Sequence, residues 1–164
     1  MSALRIGLLG AGRIGRIHGT NVARHPRATL AAIADPDAGM AEALARETGA
    51  RVADVGDILA DPAIGAVVIC TPTDLHAEQI EAAAKAGKAI FCEKPVSLDA
   101  ARTRACLKAA GAAGAKLMIG FNRRFDPSFA AVRRRIEAGE IGAVEIVTIL
   151  SRDPSPPPAE YAAR

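Results

Sequence analysis

The sequence predicts an α/β fold built on a doubly wound parallel sheet. Three observations predict it. Short apolar runs alternate with longer stretches of helical period from Arg5 to Gly120, a glycine-rich turn follows the first apolar run, and an acidic residue ends the second. Apolar strands separated by helices are typical of a parallel sheet with both faces covered. Together with the glycine turn, they indicate a Rossmann domain.

Each apolar run predicts a strand, and each helical stretch predicts a connecting helix. The predicted strands are residues 5–9, 29–34, 51–53 (short), 66–70, 89–92 and 116–119. The predicted helices are residues 14–24, 37–48, 74–86, 99–113 and 128–138. Glycines follow three of these helices, at Gly49, Gly87 and Gly114, and glycine commonly stands just past a helix end. Residues 121–127 are predicted to be a loop and residues 141–150 a last strand, before a proline-rich segment.

Composition narrows the class of protein. The chain has 164 residues, of which 50% are hydrophobic and 24% charged, so a folded core is expected rather than disorder. No apolar run approaches the roughly 20 residues that span a bilayer. A net charge of +3 and 3% aromatic residues offer little to nucleic acid. Three cysteines, an odd number without metal spacing, argue against a disulfide framework and suit a reducing cytoplasm.

The turn Gly10-x-Gly12-x-x-Gly15, with Arg13 and Ile14 inside it, follows a strand and opens a helix. In that context the first glycine permits a tight turn and the second lets the backbone approach a pyrophosphate. The third allows close packing of helix on strand, and the helix N-terminus attracts the negative charge. The turn therefore predicts dinucleotide binding. The alternative is a glycine-rich turn that binds nothing.

Asp35 ends the second strand, twenty residues beyond Gly15. An acid there can accept hydrogen bonds from the adenosine ribose and would repel a 2′-phosphate, which favours NAD over NADP. Arg13 could moderate that preference. The alternative, that Asp35 only caps the next helix, competes with Asp37, which is an equally good cap.

Two further clusters follow strands and so lie at the carboxyl edge of the sheet, where ligands collect. Thr71 and Thr73 could contact the cofactor, whereas His76, in the first turn of a helix, is more often a surface or capping residue. Lys94 could transfer a proton or stabilise an alkoxide, with Glu93 to orient it. The alternative for Lys94 is a solvated surface residue.

Arg123 and Arg124 follow the last strand of the sheet and could hydrogen-bond a hydroxyl-rich ligand, or they could be surface arginines. No metal-binding spacing, P-loop or serine-hydrolase motif occurs. Hydride transfer is therefore the simplest chemistry for the chain.

These motifs resemble those of the glucose-fructose oxidoreductase and inositol dehydrogenase (Gfo/Idh/MocA) family, over the whole chain. The stretches that carry the resemblance are residues 10–15, 34–36, 71–76, 93–95 and 120–127. Residues 121–129 and 151–158 look more narrowly like the myo-inositol 2-dehydrogenase branch.

The resemblance implies an NAD-dependent oxidoreductase of a cyclic polyol. It implies that Lys94 is catalytic with a cis bond to Pro95, that His76 and Glu93 belong to the cofactor site, and that Arg123 and Asp153 contact the polyol. It also implies an Asp-x-x-x-His stretch that supplies the base. The chain has no histidine after His76, so this stretch is missing.

The expected organisation is a Rossmann domain over residues 1–120 and the incomplete start of a substrate and oligomerisation domain over residues 121–164. The chain would then be an N-terminal portion that binds NAD, is itself inactive, and belongs to a cytoplasmic protein that is commonly a tetramer. Two alternatives stay open: a non-catalytic nucleotide-binding or sensing module, and a dehydrogenase of another sugar.

Overall fold

Six parallel strands form the one sheet of the computed structural model, which describes residues 3–152. The strands are β1 (Leu4–Leu9), β2 (Ala28–Ala34), β3 (Arg51–Val52), β4 (Ala66–Ile69), β5 (Ala89–Cys92) and β6 (Leu117–Ile119). Their order across the sheet is β3-β2-β1-β4-β5-β6. This is the doubly wound Rossmann order, with the reversal between β1 and β4, and it confirms the predicted fold class.

Helices connect the strands close to where periodicity predicts them. They are α1 (Arg13–Arg24), α2 (Ala38–Thr48), α3 (Val55–Ala60), α4 (Thr73–Lys85), α5 (Ala100–Ala112) and α6 (Pro127–Glu137), with a 3₁₀ turn at Asn122–Phe125. The five predicted helices are confirmed within one residue at each end. The six-residue helix α3 was not predicted. Gly49, Gly87 and Gly114 have positive φ, as expected for residues that end helices.

The core lies on both faces of the sheet, because neighbouring residues of one strand point to opposite sides. Leu8 of β1 packs with Leu30, Ile33 and Leu44 on one face. Leu9 packs on the other face with a larger set: Ile58, Ile64, Val67, Ile69 and Ile80. Each such buried side chain contributes about 1.5–3 kcal/mol relative to an exposed one. Burial on both faces explains why the strands read as continuous apolar runs.

Contacts divide the chain into two units, Met1–Phe121 and Asn122–Arg164. In the second unit, Asp126 begins α6 by accepting hydrogen bonds from the backbone N–H groups of Ser128 and Phe129. The role of this unit as the start of a substrate domain stays a prediction.

The predicted strand over residues 141–150 is wrong. The structure gives this segment no regular secondary structure. Its apolar side chains are largely exposed, with Ile146 at 86% and Leu150 at 82%. A strand needs a neighbour to accept its backbone hydrogen bonds, and no residue of 3–152 pairs with this segment.

No helix within residues 3–152 has the length and apolar character required to span a bilayer.

Candidate functional site

The glycine turn between β1 and α1 is dictated by close backbone approaches. Gly10 has φ +93°, and a Cβ added to it would lie 2.7 Å from the carbonyl carbon of Cys70. A Cβ on Gly15 would lie 1.9 Å from the carbonyl oxygen of Gly10. Both contacts are too short for any side chain. The chain's own fold therefore requires Gly10 and Gly15.

Gly12 differs from its two neighbours. No atom within residues 3–152 lies within 4 Å of a Cβ built on it, so the fold leaves space there that a side chain could fill. Gly12 is also the N-cap of α1, and no side chain caps that helix. The N–H groups of the first turn therefore remain open to an anion, which suits a pyrophosphate at this end of the helix.

Asp35, directly after β2, faces the glycine turn. Its Oδ2 accepts a hydrogen bond from the Ala11 N–H at 2.6 Å, and its Oδ1 accepts one from the Asp37 N–H at 2.8 Å. Asp37 itself caps α2, accepting from the N–H groups of Gly39 and Met40. The alternative that Asp35 caps this helix is thus wrong. The Asp35 carboxylate keeps acceptor capacity for ribose hydroxyls.

A cavity of about 560 Å³ opens between the glycine turn and the start of α2. Its lining residues are Ala11, Gly12, Arg13, Arg16, Asp37, Gly39, Met40, Ala43 and Leu44. Arg16 forms an ion pair with Glu47 of α2, whereas Arg13 lies exposed at the wall. The space is wide enough for the adenosine half of a dinucleotide, and Asp35 is linked to it through its hydrogen bond from Ala11, one of the lining residues.

His76 lies inside the protein, with 2% of its surface exposed. Its Nδ1 is 2.7 Å from the carbonyl oxygen of Pro95, and its Nε2 is 2.7 Å from that of Thr71. The expectation of a surface or capping histidine is therefore wrong, because tertiary contacts enclose the ring. Each nitrogen thus lies within hydrogen-bond distance of a backbone carbonyl oxygen. Thr71 donates its own hydroxyl to Oε1 of Gln79 at 2.6 Å, and Thr73 begins α4, half-buried.

Glu93 and Lys94 follow β5 at the same edge. Glu93 Oε1 lies 2.8 Å from Nε2 of His18, and its Oε2 accepts from the Lys94 backbone N–H at 3.2 Å. Glu93 thus holds the backbone of Lys94 rather than its ammonium group. The Lys94 side chain is exposed, and the Lys94–Pro95 peptide is cis, as the resemblance implied.

Sequence reasoning missed His18. It stands on α1, and its ring packs against Phe91 with centroids 5.0 Å apart, while its Nε2 reaches Glu93. The only signal in the sequence is its spacing, one helical turn after Gly15, which places both residues on one face of α1.

Two cysteine thiols, those of Cys70 and Cys92, stand at the carboxyl ends of β4 and β5. Burial raises the pKa of Cys70 to about 12, and the negative charge of Glu93 adds to the shift. Burial likewise raises the pKa of Cys92 to about 12, with smaller contributions from Cys106 and Glu93. Both thiols are therefore protonated at neutral pH and are poor nucleophiles. Within residues 3–152, no cluster of three His, Cys, Asp or Glu side chains could hold a metal ion.

The predicted polyol contacts belong to the second unit. There the guanidinium carbon of Arg123 lies 5.2 Å from the ring centroid of Phe129, a cation–π contact. Asp153 lies outside the described residues.

Comparison with known proteins identifies the family. The model of the GFO_IDH_MocA oxidoreductase family, described by its NAD-binding Rossmann fold, matches residues 4–121. The chain belongs to this family. An inositol 2-dehydrogenase of Rhizobium meliloti (strain 1021) is 58% identical over 161 residues, which are 98% of this chain and 49% of that protein. The chain thus spans about half the length of the curated relatives it matches.

Solved structures give the same result. A myo-inositol dehydrogenase from Corynebacterium glutamicum ATCC 13032 superposes with a TM-score of 0.91 at 44% identity, over 98% of this chain and 49% of that one. A scyllo-inositol dehydrogenase from Lactobacillus casei, with bound NAD(H) and scyllo-inositol, superposes with a TM-score of 0.81 at 33% identity. That match covers 86% of this chain and 43% of the other.

Proposed function

We propose that this chain binds NAD and serves the oxidation of a cyclic polyol, with myo-inositol to its 2-keto form as the preferred reaction. The observation that carries the proposal is the open glycine turn beside Asp35. Gly12 leaves space at an uncapped helix N-terminus, and the Asp35 carboxylate is bonded to the N–H group of Ala11, a residue that lines the cavity. Inositol dehydrogenases among the relatives support the substrate class.

Asp35 is the proposed basis for NAD over NADP. Its two oxygens accept from the N–H groups of Ala11 and Asp37, two residues that line the cavity, so the carboxylate is held in place. A 2′-phosphate would meet this negative charge at close range. Thr71, Thr73 and Glu93 are proposed to line the rest of the cofactor site.

The proposed catalytic residue is Lys94. When bound, NAD would accept hydride from the carbon that carries the substrate hydroxyl. The exposed ammonium of Lys94, at the carboxyl end of β5, would stabilise negative charge on the substrate oxygen or carry its proton. Arg123 and Asp153 are the proposed polyol contacts.

We test the cofactor by calorimetric titration of NAD and NADP into the purified chain. We expect NAD to bind more tightly than NADP. The Asp35→Asn variant should lose about tenfold in NAD affinity and should narrow the difference between the two cofactors. Asp99→Asn is the matched control, because Asp99 caps α5 away from the cavity lining and the charge change is the same. Equal affinity of the unaltered chain for NAD and NADP would contradict the proposal.

Turnover is a separate question. The chain has no histidine after His76 to act as the positioned base, and loss of such a base lowers rates about 10²- to 10⁴-fold. We therefore expect NAD binding with very slow inositol-dependent formation of NADH. Readily measured turnover of myo-inositol or scyllo-inositol would overturn that expectation.

A further inference from the structure

One buried side chain joins two loops at the carboxyl edge of the sheet. The loop after β4 contains Thr71, and the loop after β5 contains Lys94 and Pro95. His76 lies between them and contacts the carbonyl oxygen of Thr71 with one ring nitrogen and that of Pro95 with the other. Thr71 and Pro95 stand 24 positions apart in the sequence. Their relative position is therefore set by this ring as well as by the sheet.

The contacts depend on the donors of the imidazole. A carbonyl oxygen only accepts, so the ring makes both hydrogen bonds when both nitrogens carry hydrogen and one bond in its neutral form. Thr71 has a second contact with α4. Its hydroxyl donates to Oε1 of Gln79, which stands one helical turn after His76. Two side chains of α4 thus contact Thr71: His76 contacts its carbonyl oxygen, and Gln79 accepts from its hydroxyl.

These two loops lie on one side of the reversal in strand order. The glycine turn and Asp35 follow β1 and β2, whereas Thr71 and Lys94 follow β4 and β5. A dinucleotide binds across this reversal. Its adenosine half belongs to the side of Asp35, so its other half falls to the loops after β4 and β5.

We propose that His76 is a positioning residue: it fixes the Thr71 and Lys94 loops relative to each other and so shapes the nicotinamide half of the cofactor site without touching the ligand. This inference rests on the proposed binding of NAD. It differs from the direct cofactor contact that the resemblance suggested, because the ring is buried and both of its nitrogens face backbone carbonyl oxygens.

The test compares two ligands on the same variant. NADH carries both halves of the cofactor, whereas ADP-ribose lacks the nicotinamide. We expect His76→Phe, which keeps a buried ring and removes the donors, to weaken NADH binding about tenfold. Its affinity for ADP-ribose should stay within about twofold, because the glycine turn and Asp35 are unchanged. Fluorescence titration of NADH and calorimetry of ADP-ribose give the two dissociation constants.

Lys88→Met is the matched control. Lys88 is also buried and also donates to two carbonyl oxygens, those of Asp61 and Ile64, but it stands before β5 at the opposite edge. This variant should be less stable and should bind both ligands as the unaltered chain does. A loss of NADH affinity that matched that of His76→Phe would show a general effect of destabilisation and would overturn the inference.

His76→Gln covers the case in which His76→Phe does not fold. Its amide keeps a hydrogen-bond donor, so we expect a smaller loss of NADH affinity, again with ADP-ribose unaffected. An unchanged ratio of NADH to ADP-ribose affinity in the folded variant overturns the positioning role. If the unaltered chain binds neither ligand, it is the proposed function that fails.

Discussion

At the amino edge of the sheet, the ammonium group of Lys88 donates to the carbonyl oxygens of Asp61 and Ile64, at 2.7 and 2.8 Å. At the carboxyl edge, the imidazole of His76 contacts the carbonyl oxygens of Thr71 and Pro95, both at 2.7 Å. Both side chains are buried, and each joins two segments that are distant in sequence. What differs is the kind of segment that is joined.

Lys88 joins the start of β5 to the connection between α3 and β4, and no proposed site residue lies there. His76 joins two loops that carry proposed site residues, beside an uncapped helix N-terminus and the carboxylate of Asp35. Parallel strands with helical crossovers bring these loops and helix N-termini to the carboxyl edge. One type of buried contact therefore stabilises the fold at the amino edge and can also shape a binding site at the carboxyl edge.

The largest expected effect is in the glycine turn. A Cβ on Gly15 would meet the carbonyl oxygen of Gly10 at 1.9 Å, and this oxygen is backbone and cannot move aside alone. We expect Gly15→Ala to lower the free energy of unfolding by at least about 3 kcal/mol. Urea denaturation followed by circular dichroism measures the change.

Gly12→Ala is the control for that prediction. Gly12 has φ −62°, which alanine adopts freely, and no described atom would meet the new methyl group. The free energy of unfolding should change by less than about 1 kcal/mol, whereas NAD affinity should fall about tenfold or more, because the methyl group enters the space proposed for the pyrophosphate. Similar losses of stability in both variants would show that the two glycines do not differ in role.

Lys88→Met should have the next largest effect. The variant keeps the length of the side chain but removes the donor of the Ile64 carbonyl oxygen and one of the two donors of the Asp61 carbonyl oxygen. We expect the free energy of unfolding to fall by about 2 kcal/mol. Thermal and urea unfolding would measure it, with Lys85→Met, the same change in an exposed lysine, as the control. Equal stability of the two variants would contradict the importance of the amino-edge contact.

The sequence predicts the fold well, because the signals for strands, helices and caps are local. Apolar runs give the strands, and Asp37 and Asp99 cap the helices that they precede. The six residues of α3 are too few to show a helical period. Residues 141–150 are rich in the apolar and β-branched side chains that strands favour, but such composition does not show whether another strand is available to pair.

The site is predicted less completely. The glycine turn and Asp35 are found because their spacing reflects a fixed local geometry. The contact of His76 with Pro95 and that of His18 with Glu93 join residues 19 and 75 positions apart, and no local pattern records either pair. Tertiary packing alone decides that His76 is buried and that the carboxylate of Glu93 contacts His18.

The smallest expected effect concerns the thiols of Cys70 and Cys92. Their protonation tests whether the carboxyl ends of β4 and β5 are shielded from solvent. Their pKa is about 12, raised from 9.0 mainly by burial and further by the charge of Glu93. A raised pKa means that the folded chain holds the thiol protons more tightly than the unfolded chain does. The resulting stabilisation is complete below about pH 9 and is lost as the pH rises through about 12.

Native labelling with a maleimide should therefore stay slow for both thiols between about pH 8 and about pH 10, a range in which an ordinary cysteine becomes a thiolate. Unfolding in urea provides the control, since all three cysteines should then react rapidly. Glu93→Gln should speed native labelling of Cys70 only slightly, because burial is the larger cause of its pKa shift. Rapid labelling of Cys70 or Cys92 in the native chain would mean that this edge is more open to solvent than its packing indicates.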